Sequence, residues 1–310
     1  AGRKVQPQQP TLFARWGRCY WGLDALARDP LPPEEFRNAL TELGDGLQSL
    51  VEQQPDVAIY LMLRQDAHPL RMYGLTHATY AAALAWMLAR RLQWSEAQQR
   101  SVLMAALTMN LACLDLQARF AVYGRLSQEQ RDELRTHPDT AVARLRAAGI
   151  ADEDWLRAVT EHHEHTDGKG YPRGLQQVGE MAQLLRLVDV FLAKISRRES
   201  RPSLDLREAE RQAYAEYPSS PLVTALIREL GPLPPGEVVV LANGERGVVI
   251  RRGAAPQTPL VATLTDKRGI PCQTSLRRDT AERDFAFKAL EPDRQLVARL
   301  PPERLYGLLP

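Results

Sequence analysis

Histidines and basic residues form the most chemically suggestive run of this sequence. All six histidines fall in the part predicted to be helical: His68, His77, His137, His162, His163 and His165. Residues 161–175 read EHHEHTDGKGYPRGL. Adjacent side chains such as His162 and His163 can face one pocket at a helix end, and two glycines after them let the chain turn. Because Lys169 and Arg173 follow on that turn, the run favours a metal-assisted phosphate site. A solvated helix end that attracts basic residues is the alternative.

The segment HHEHTDGKGYPRGL resembles the HHExxDGxGYPxGL signature of HD-GYP domains, the cyclic di-GMP phosphodiesterase domains of bacterial signalling proteins. The match has no gaps, and further similar segments extend the resemblance over about residues 70–202. It implies an HD-domain-like helical bundle that holds divalent metal ions. Carried over position by position, the resemblance implies metal ligands at His77, His137, His162, His163 and Asp189.

The metal-binding pair that gives the family its name is missing. The family's AALLHDIGK segment corresponds to AALTMNLAC here, so Met109 replaces the histidine, Asn110 the aspartate and Cys113 the lysine. A thioether is a soft ligand that suits iron or manganese poorly, and an amide has no charge with which to bridge two cations. The resemblance therefore implies that no catalytic set is intact and that the metal site is vestigial or partial.

Other family positions are retained. Basic residues expected to bind a ligand are Lys169, Arg173, Arg198 and Arg201, of which the last two match positions that contact the substrate's phosphates in the family. The family's GYP motif is Gly170, Tyr171 and Pro172, and we expect it to act as an interaction loop. The arginines also fit a solvated helix end.

Three functions follow from this pattern. The first hypothesis is a catalytically impaired protein that binds cyclic di-GMP or a related nucleotide as a sensor. The second is a surviving phosphodiesterase that uses a reduced site with one Fe, Mn or other divalent metal. The third is an adaptor whose GYP loop contacts a protein, such as a GGDEF-type signalling domain. We favour the non-catalytic hypotheses, and with them no cofactor, because the charge that orders an activated water is lost.

Composition excludes several other classes. Hydrophobic residues make up 44% and charged residues 25% of the 310, as in globular proteins, and the net charge of +2 predicts no nucleic-acid partner. The longest apolar stretch, around Tyr80 to Leu88, is too short to span a bilayer, and no signal-peptide core precedes it. The three cysteines, Cys19, Cys113 and Cys272, form no motif. We expect a cytoplasmic protein without a membrane partner.

The elements that must position these residues are mainly helical. Periodicity and capping residues predict helices over 12–29, 34–54, 55–64, 75–93, 96–116, from Ser127, 138–147, 152–164, 178–196 and 205–216. After the proline-rich segment 231–236, the apolar runs around Asn243 and Gly244 predict short β-strands, followed by a mostly irregular tail after Asp279.

The predicted fold class is mainly α, an HD-domain-like helical bundle with a small C-terminal β appendage. We expect four regions: a disordered tail at 1–11, an N-terminal helical region at 12–69, a degenerate HD-GYP domain at 70–231, and a small β-rich region at 232–310.

Overall fold

A computed structural model describes residues 11–29, 31–64, 69–200, 202–293, 297 and 300–308. Almost all of the predicted disordered tail, His68 and the predicted ligand residue Arg201 lie outside these described residues.

The described chain is mainly α, as predicted. Its helices are α1 (Leu12–Arg28), α2 (Pro33–Gln53), α3 (Pro55–Leu63), α4 (Tyr73–Arg91), α5 (Glu96–Thr108), α6 (Leu114–Tyr123), α7 (Gln128–Ala147), α8 (Glu153–Glu161), α9 (Glu180–Ile195), α10 (Leu206–Glu216), α11 (Pro221–Leu230) and α12 (Pro302–Leu305).

Helix α4 is the centre of the bundle. Every residue from Tyr73 to Ala89 is buried, because this helix is apolar or small on all of its faces. It packs against α1, α2, α5, α6, α9 and α11. Helix α9, which carries the predicted ligand Asp189, therefore lies beside α4, which carries His77.

The predicted continuous helix over 96–116 is wrong. Helix α5 ends at Thr108, and a turn over residues 109–113 leads into α6 at Leu114. In this turn the N–H of Leu111 donates to the carbonyl of Thr108, and the N–H of Cys113 donates to that of Asn110. These shorter-range bonds replace the α-helical pattern, so the residues at the lost metal-binding pair lie at a helix end.

A separate helix over 138–147 was also wrongly predicted. Helix α7 begins at the predicted cap, where Ser127 and Gln130 form a capping box, and continues through Pro138 to Ala147. Proline has no N–H with which to bond the carbonyl four residues earlier, which here belongs to Leu134. That carbonyl instead accepts a hydrogen bond from the Nδ1 of His137, so the helix continues with the carbonyl satisfied.

The C-terminal region forms one antiparallel sheet with the order β4-β3-β2-β1-β5. Its strands are β1 (Val238–Leu241), β2 (Arg246–Arg251), β3 (Leu260–Thr265), β4 (Arg277–Asp279) and β5 (Phe287–Leu290). The predicted irregular tail after Asp279 is thus partly wrong, because β5 pairs with β1. Val238, Val248 and Leu264 join the main hydrophobic core of the helices, so the sheet packs as part of the bundle.

Candidate metal centre

Three of the predicted metal ligands form one compact cluster. The imidazoles of His137, at the middle of α7, and of His162 and His163, after α8, place their ligand nitrogens within 4.8 Å of one another. His137 and His162 are almost completely buried. The Nδ1 of His162 lies 2.7 Å from the carbonyl of Val159, and the Nδ1 of His137 lies 2.5 Å from that of Leu134.

These backbone contacts determine the tautomers. A carbonyl can only accept, so each Nδ1 must carry the proton and each neutral ring leaves Nε2 as a lone-pair donor. The Nε2 atoms of His137 and His162 are 3.2 Å apart. Two lone pairs cannot hydrogen-bond each other at this distance, whereas two nitrogens each about 2.0–2.1 Å from one metal ion are separated by roughly this amount. The backbone therefore orients two imidazoles for metal binding.

Burial keeps the cluster neutral. It lowers the pKa of His162 to about 4, with the charge of His137 as the next cause. Burial also lowers the pKa of His163 well below its ordinary value and that of His137 in the same direction. Neutral imidazole is the form that binds metal, so the cluster is ready to bind at neutral pH.

His77 and Asp189 form the second part of the site. The Nε2 of His77 at the start of α4 lies 2.8 Å from a carboxylate oxygen of Asp189 on α9. Burial raises the pKa of Asp189, but the hydrogen bond and charge of His77 and the charges of His163 and His162 outweigh it, so the pKa is lowered overall. The Asp189 charge in turn favours protonation of the clustered histidines, including His137. All five predicted ligands thus belong to one site.

Two glutamates that the sequence reasoning missed hold the loop after α8. Buried Glu164 accepts backbone hydrogen bonds from Arg173 at 2.7 Å and Leu175 at 2.9 Å. Glu161 accepts from the N–H of Gly179 at 2.9 Å, just before α9. Both lie within or beside the signature run, so their positions in the sequence indicated a role near the site. Their backbone hydrogen-bond partners could not be derived from residue spacing.

The GYP loop folds back onto the histidines. The ring of Tyr171 stacks on His163 with centroids 4.5 Å apart, and the Tyr171–Pro172 peptide bond is cis. A Cβ on Gly170 would lie 2.4 Å from the Cα of Glu164, so only glycine allows this close approach. The loop is therefore packed as a wall of the site.

The predicted basic ligand residues occupy different places. Lys169 is 85% exposed beside Asp167, and Arg173 forms an ion pair of 2.8 Å with Asp139 on α7. The structure thus brings neither cation into contact with the imidazoles. Arg198 lies over the ring of Tyr73, with its Cζ 4.8 Å from the centroid, and donates to the Tyr73 hydroxyl. Since Tyr73 stacks on His77, Arg198 stands at the edge of the site.

Comparison with known proteins agrees with this geometry. Residues 62–214 match the HD domain family. The curated cyclic di-GMP phosphodiesterase PA4108 of Pseudomonas aeruginosa is 26% identical over 235 residues, covering 74% of this chain and 56% of that protein. The chain thus spans little more than half of that relative. The solved HDG"Y"P protein Bd1817 of Bdellovibrio bacteriovorus shares the fold, with a TM-score of 0.52 and 14% identity, over 72% of this chain and 73% of its own. Together these findings support an HD-GYP family member.

The departures from the HD-GYP signature lie inside the protein. Met109 and Asn110 are fully inaccessible to solvent, and Cys113 is nearly so. The Nδ2 of Asn110 has no hydrogen-bond partner among the described residues, while its Oδ1 lies 3.7 Å from the Sγ of Cys113. Burial first, and then the charges of Asp189 and Glu133, raise the pKa of the Cys113 thiol. In the metal-free protein this thiol therefore stays protonated at neutral pH, and it is a poor nucleophile.

The residues of this HD domain fit one divalent ion at the histidine cluster. Three protein ligands are the number that a single catalytic metal commonly has, and neutral imidazole suits several first-row metals. Asn110 offers no charge for a second ion.

None of the described helices is both long and apolar enough to cross a bilayer.

Proposed function

We propose that this chain is a signalling protein that binds cyclic di-GMP, or a related nucleotide, at the HD-GYP site and has lost most of its phosphodiesterase activity. The observation that carries this proposal is the pairing of an ordered histidine cluster with a buried, uncharged Met109 and Asn110. The carboxylate that bridges two metals in the family has no charged substitute at that position.

Electrostatics favours one bound cation over two. Two dications a few ångströms apart repel each other strongly unless an anion lies between them. Asp189 is engaged by His77, and Asn110 is neutral. A bound divalent ion would act as a Lewis acid toward water or a phosphate oxygen. This chain's own residues would orient the nucleotide, exclude water and keep the imidazoles neutral.

Nucleotide binding is supported by the surroundings of the cluster. Arg198 is partly buried, and it presents a guanidinium beside Tyr73 and His77. Guanidinium groups form strong, paired hydrogen bonds with phosphate oxygens, and these gain strength away from bulk water. The proposed ligand therefore matches the residues that the site has retained. Hydrolysis, in contrast, depends on the positions that Met109 and Asn110 now occupy.

The experiment compares binding with turnover in the same protein. The wild type, loaded anaerobically with Fe or Mn, is titrated with cyclic di-GMP by calorimetry, and product formation is followed by chromatography. We expect binding with very slow formation of the linear dinucleotide. The variant Met109→His/Asn110→Asp should gain turnover. Absence of binding by the wild type would remove the proposed ligand.

A phosphodiesterase with one metal is the second candidate, and the His137–His162 geometry favours it. The same experiment separates the two: rapid turnover by the wild type, unchanged in the double variant, supports the second candidate. Metal analysis of the loaded protein then gives the stoichiometry directly.

A protein partner at the GYP loop, such as a GGDEF-type domain, is the third candidate, and the exposed Lys169 side chain favours it. Tyr171 itself is turned toward His163. A pull-down with Lys169→Glu tests the outer side of the loop without removing the ring that lines the site. Partner recovery equal to that of the wild type would argue against this contact.

A further inference from the structure

Two similar side-chain stacks border the five-residue site. In the first stack, the guanidinium of Arg198 lies over Tyr73, whose ring stacks on His77 with an interplanar angle of 23°. In the second stack, the Cζ of Arg135 lies 5.2 Å from the ring centroid of Tyr171, and that ring stacks on His163 at the same angle of 23°. Each stack thus runs from an arginine, through a tyrosine, to a histidine of the site.

The two histidines belong to different parts of the metal centre. His77 is bonded to Asp189, whereas His163 belongs to the cluster with His137 and His162. The stacks therefore place one cation beside each part.

Within the described part of the chain, neither arginine has an acidic partner. Among the residues that the structure describes, Arg135 and Arg198 form no ion pair, although ion pairs occupy Arg173 and Arg186 nearby. Arg198 also has a buried Nε without a hydrogen-bond partner within the described chain. A buried donor without a partner costs free energy unless a ligand satisfies it.

Arg135 is held in place although it is exposed. It lies on α7, two residues before His137, and its contact with Tyr171 is a cation–π interaction. Such a contact orients the side chain and leaves the N–H groups at the edge of the guanidinium free to donate. The lysine of the family signature is Cys113 here, so a cation contributed from α7 adds positive charge to a site that has lost one.

We propose that Arg135 is a phosphate-binding residue of this site and that it acts together with Arg198. The two guanidiniums would hold the two phosphodiester groups of a cyclic dinucleotide, one at each part of the centre. This inference rests on the proposed function, and it adds the residue that selects a ligand with two phosphates over a mononucleotide. A mononucleotide carries one phosphate and can engage only one of the stacks.

The test uses calorimetric titration of the full chain with cyclic di-GMP and, separately, with GMP. Arg135→Ala should weaken the binding of cyclic di-GMP by about tenfold to a hundredfold, the range expected for a charge-assisted hydrogen bond. The affinity for GMP should change much less if GMP binds at Arg198. Arg135→Lys keeps the charge but loses the paired geometry, and it should recover part of the affinity.

The matched control is Arg131→Ala, one turn earlier on α7. Its guanidinium is bonded to Gln128 and to the carbonyl of Leu126, away from the stack. Equal losses for Arg131→Ala and Arg135→Ala would mean that the helix contributes only general charge, and would overturn the inference.

The remaining outcomes are also decisive. Wild-type binding that Arg135→Ala leaves unchanged overturns the role of Arg135 and leaves the proposed function standing. A wild type that binds no cyclic di-GMP overturns both. A loss of GMP binding as large as that of cyclic di-GMP overturns the selection between one and two phosphates.

Discussion

Single hydrogen bonds to backbone carbonyls prepare His137 and His162 for metal. Each Nδ1 is held by a carbonyl three residues earlier, so each Nε2 is left to face the other. The resemblance to a known signature named these ligands. Their tautomers could not be predicted from it, because they depend on where the carbonyls of α7 and of the end of α8 point. The same limit applies to Arg135, which has no place in the signature and matters only through its contact with Tyr171.

At the residue scale, substitution of Glu164 tests whether its carboxylate holds the loop that forms the wall of the site. We expect Glu164→Gln to lower the free energy of unfolding by about 2–3 kcal/mol, because an amide NH2 would face one of the two backbone N–H groups that the carboxylate now accepts. Urea denaturation measures the change. Glu42→Gln, on the exposed side of α2, is the control and should leave stability almost unaltered. Similar effects of the two substitutions would contradict this account of the loop.

Buried neutral histidines predict a pH dependence of the metal-free protein. The unfolded chain binds a proton at His162 below about pH 6.5, but the folded chain does so only near pH 4. Stability must therefore fall as the pH drops through this window, by about 2 kcal/mol between pH 7 and pH 5 for this residue. Asp189 contributes at lower pH. Its pKa is lowered in the folded protein, so its stabilisation is lost only when the pH falls below the ordinary carboxyl range. Denaturation at the two pH values should show a smaller difference in His162→Gln; an equal slope would contradict the assignment.

At the scale of the elements, the positions where helices end or continue determine which side chains meet. Helix α5 was expected to continue through residue 116, because its apolar run gives no stop signal as clear as proline or glycine. Local hydrogen bonds after Thr108 end it instead. Pro138 was expected to separate two helices, because proline is such a stop signal. It lies within a continuous helix, because His137 satisfies the carbonyl that proline leaves free. In both cases side-chain and turn bonds override the local propensity.

Pro138 therefore links helix structure to metal affinity. In Pro138→Ala, the restored N–H of residue 138 can bond the carbonyl of Leu134 and compete with the Nδ1 of His137. We expect helix α7 to be retained and the affinity for a divalent metal to fall by about tenfold or more, as for the loss of other groups that orient ligands. Competition with a chromophoric chelator measures the affinity, and Thr140→Ala on the exposed face is the control. Undiminished affinity in Pro138→Ala would show that the proline does not orient the ligand.

The sheet and the bundle share one core at the scale of the whole molecule. The sequence marked the change from helix to strand near residue 232, because proline and glycine cluster there. It could not show that strand residues pack into the helical core, since that depends on contacts between distant segments. Arg252, after β2, joins three elements: it bonds Asp56 on α3 and both the side chain and the carbonyl of Glu229 on α11.

Arg252→Ala should destabilise the whole chain through this junction. The substitution removes one partner from each of two partly buried carboxylates, so we expect the free energy of unfolding to fall by about 2 kcal/mol. Neighbouring Arg251 is exposed, and Arg251→Ala is the matched control for chemical or thermal denaturation. If the sheet unfolded alone, before the helices, the shared core would be contradicted.

We propose above that the site holds a cyclic dinucleotide without cleaving it efficiently. The most direct measurement mixes an excess of metal-loaded protein with cyclic di-GMP, separates the bound nucleotide by gel filtration, and identifies it by chromatography after denaturation. We predict that intact cyclic di-GMP is recovered, at about one molecule per chain when the ligand is raised to saturation. Recovery of the linear dinucleotide or GMP in its place, or protein that carries no nucleotide, would contradict the claim.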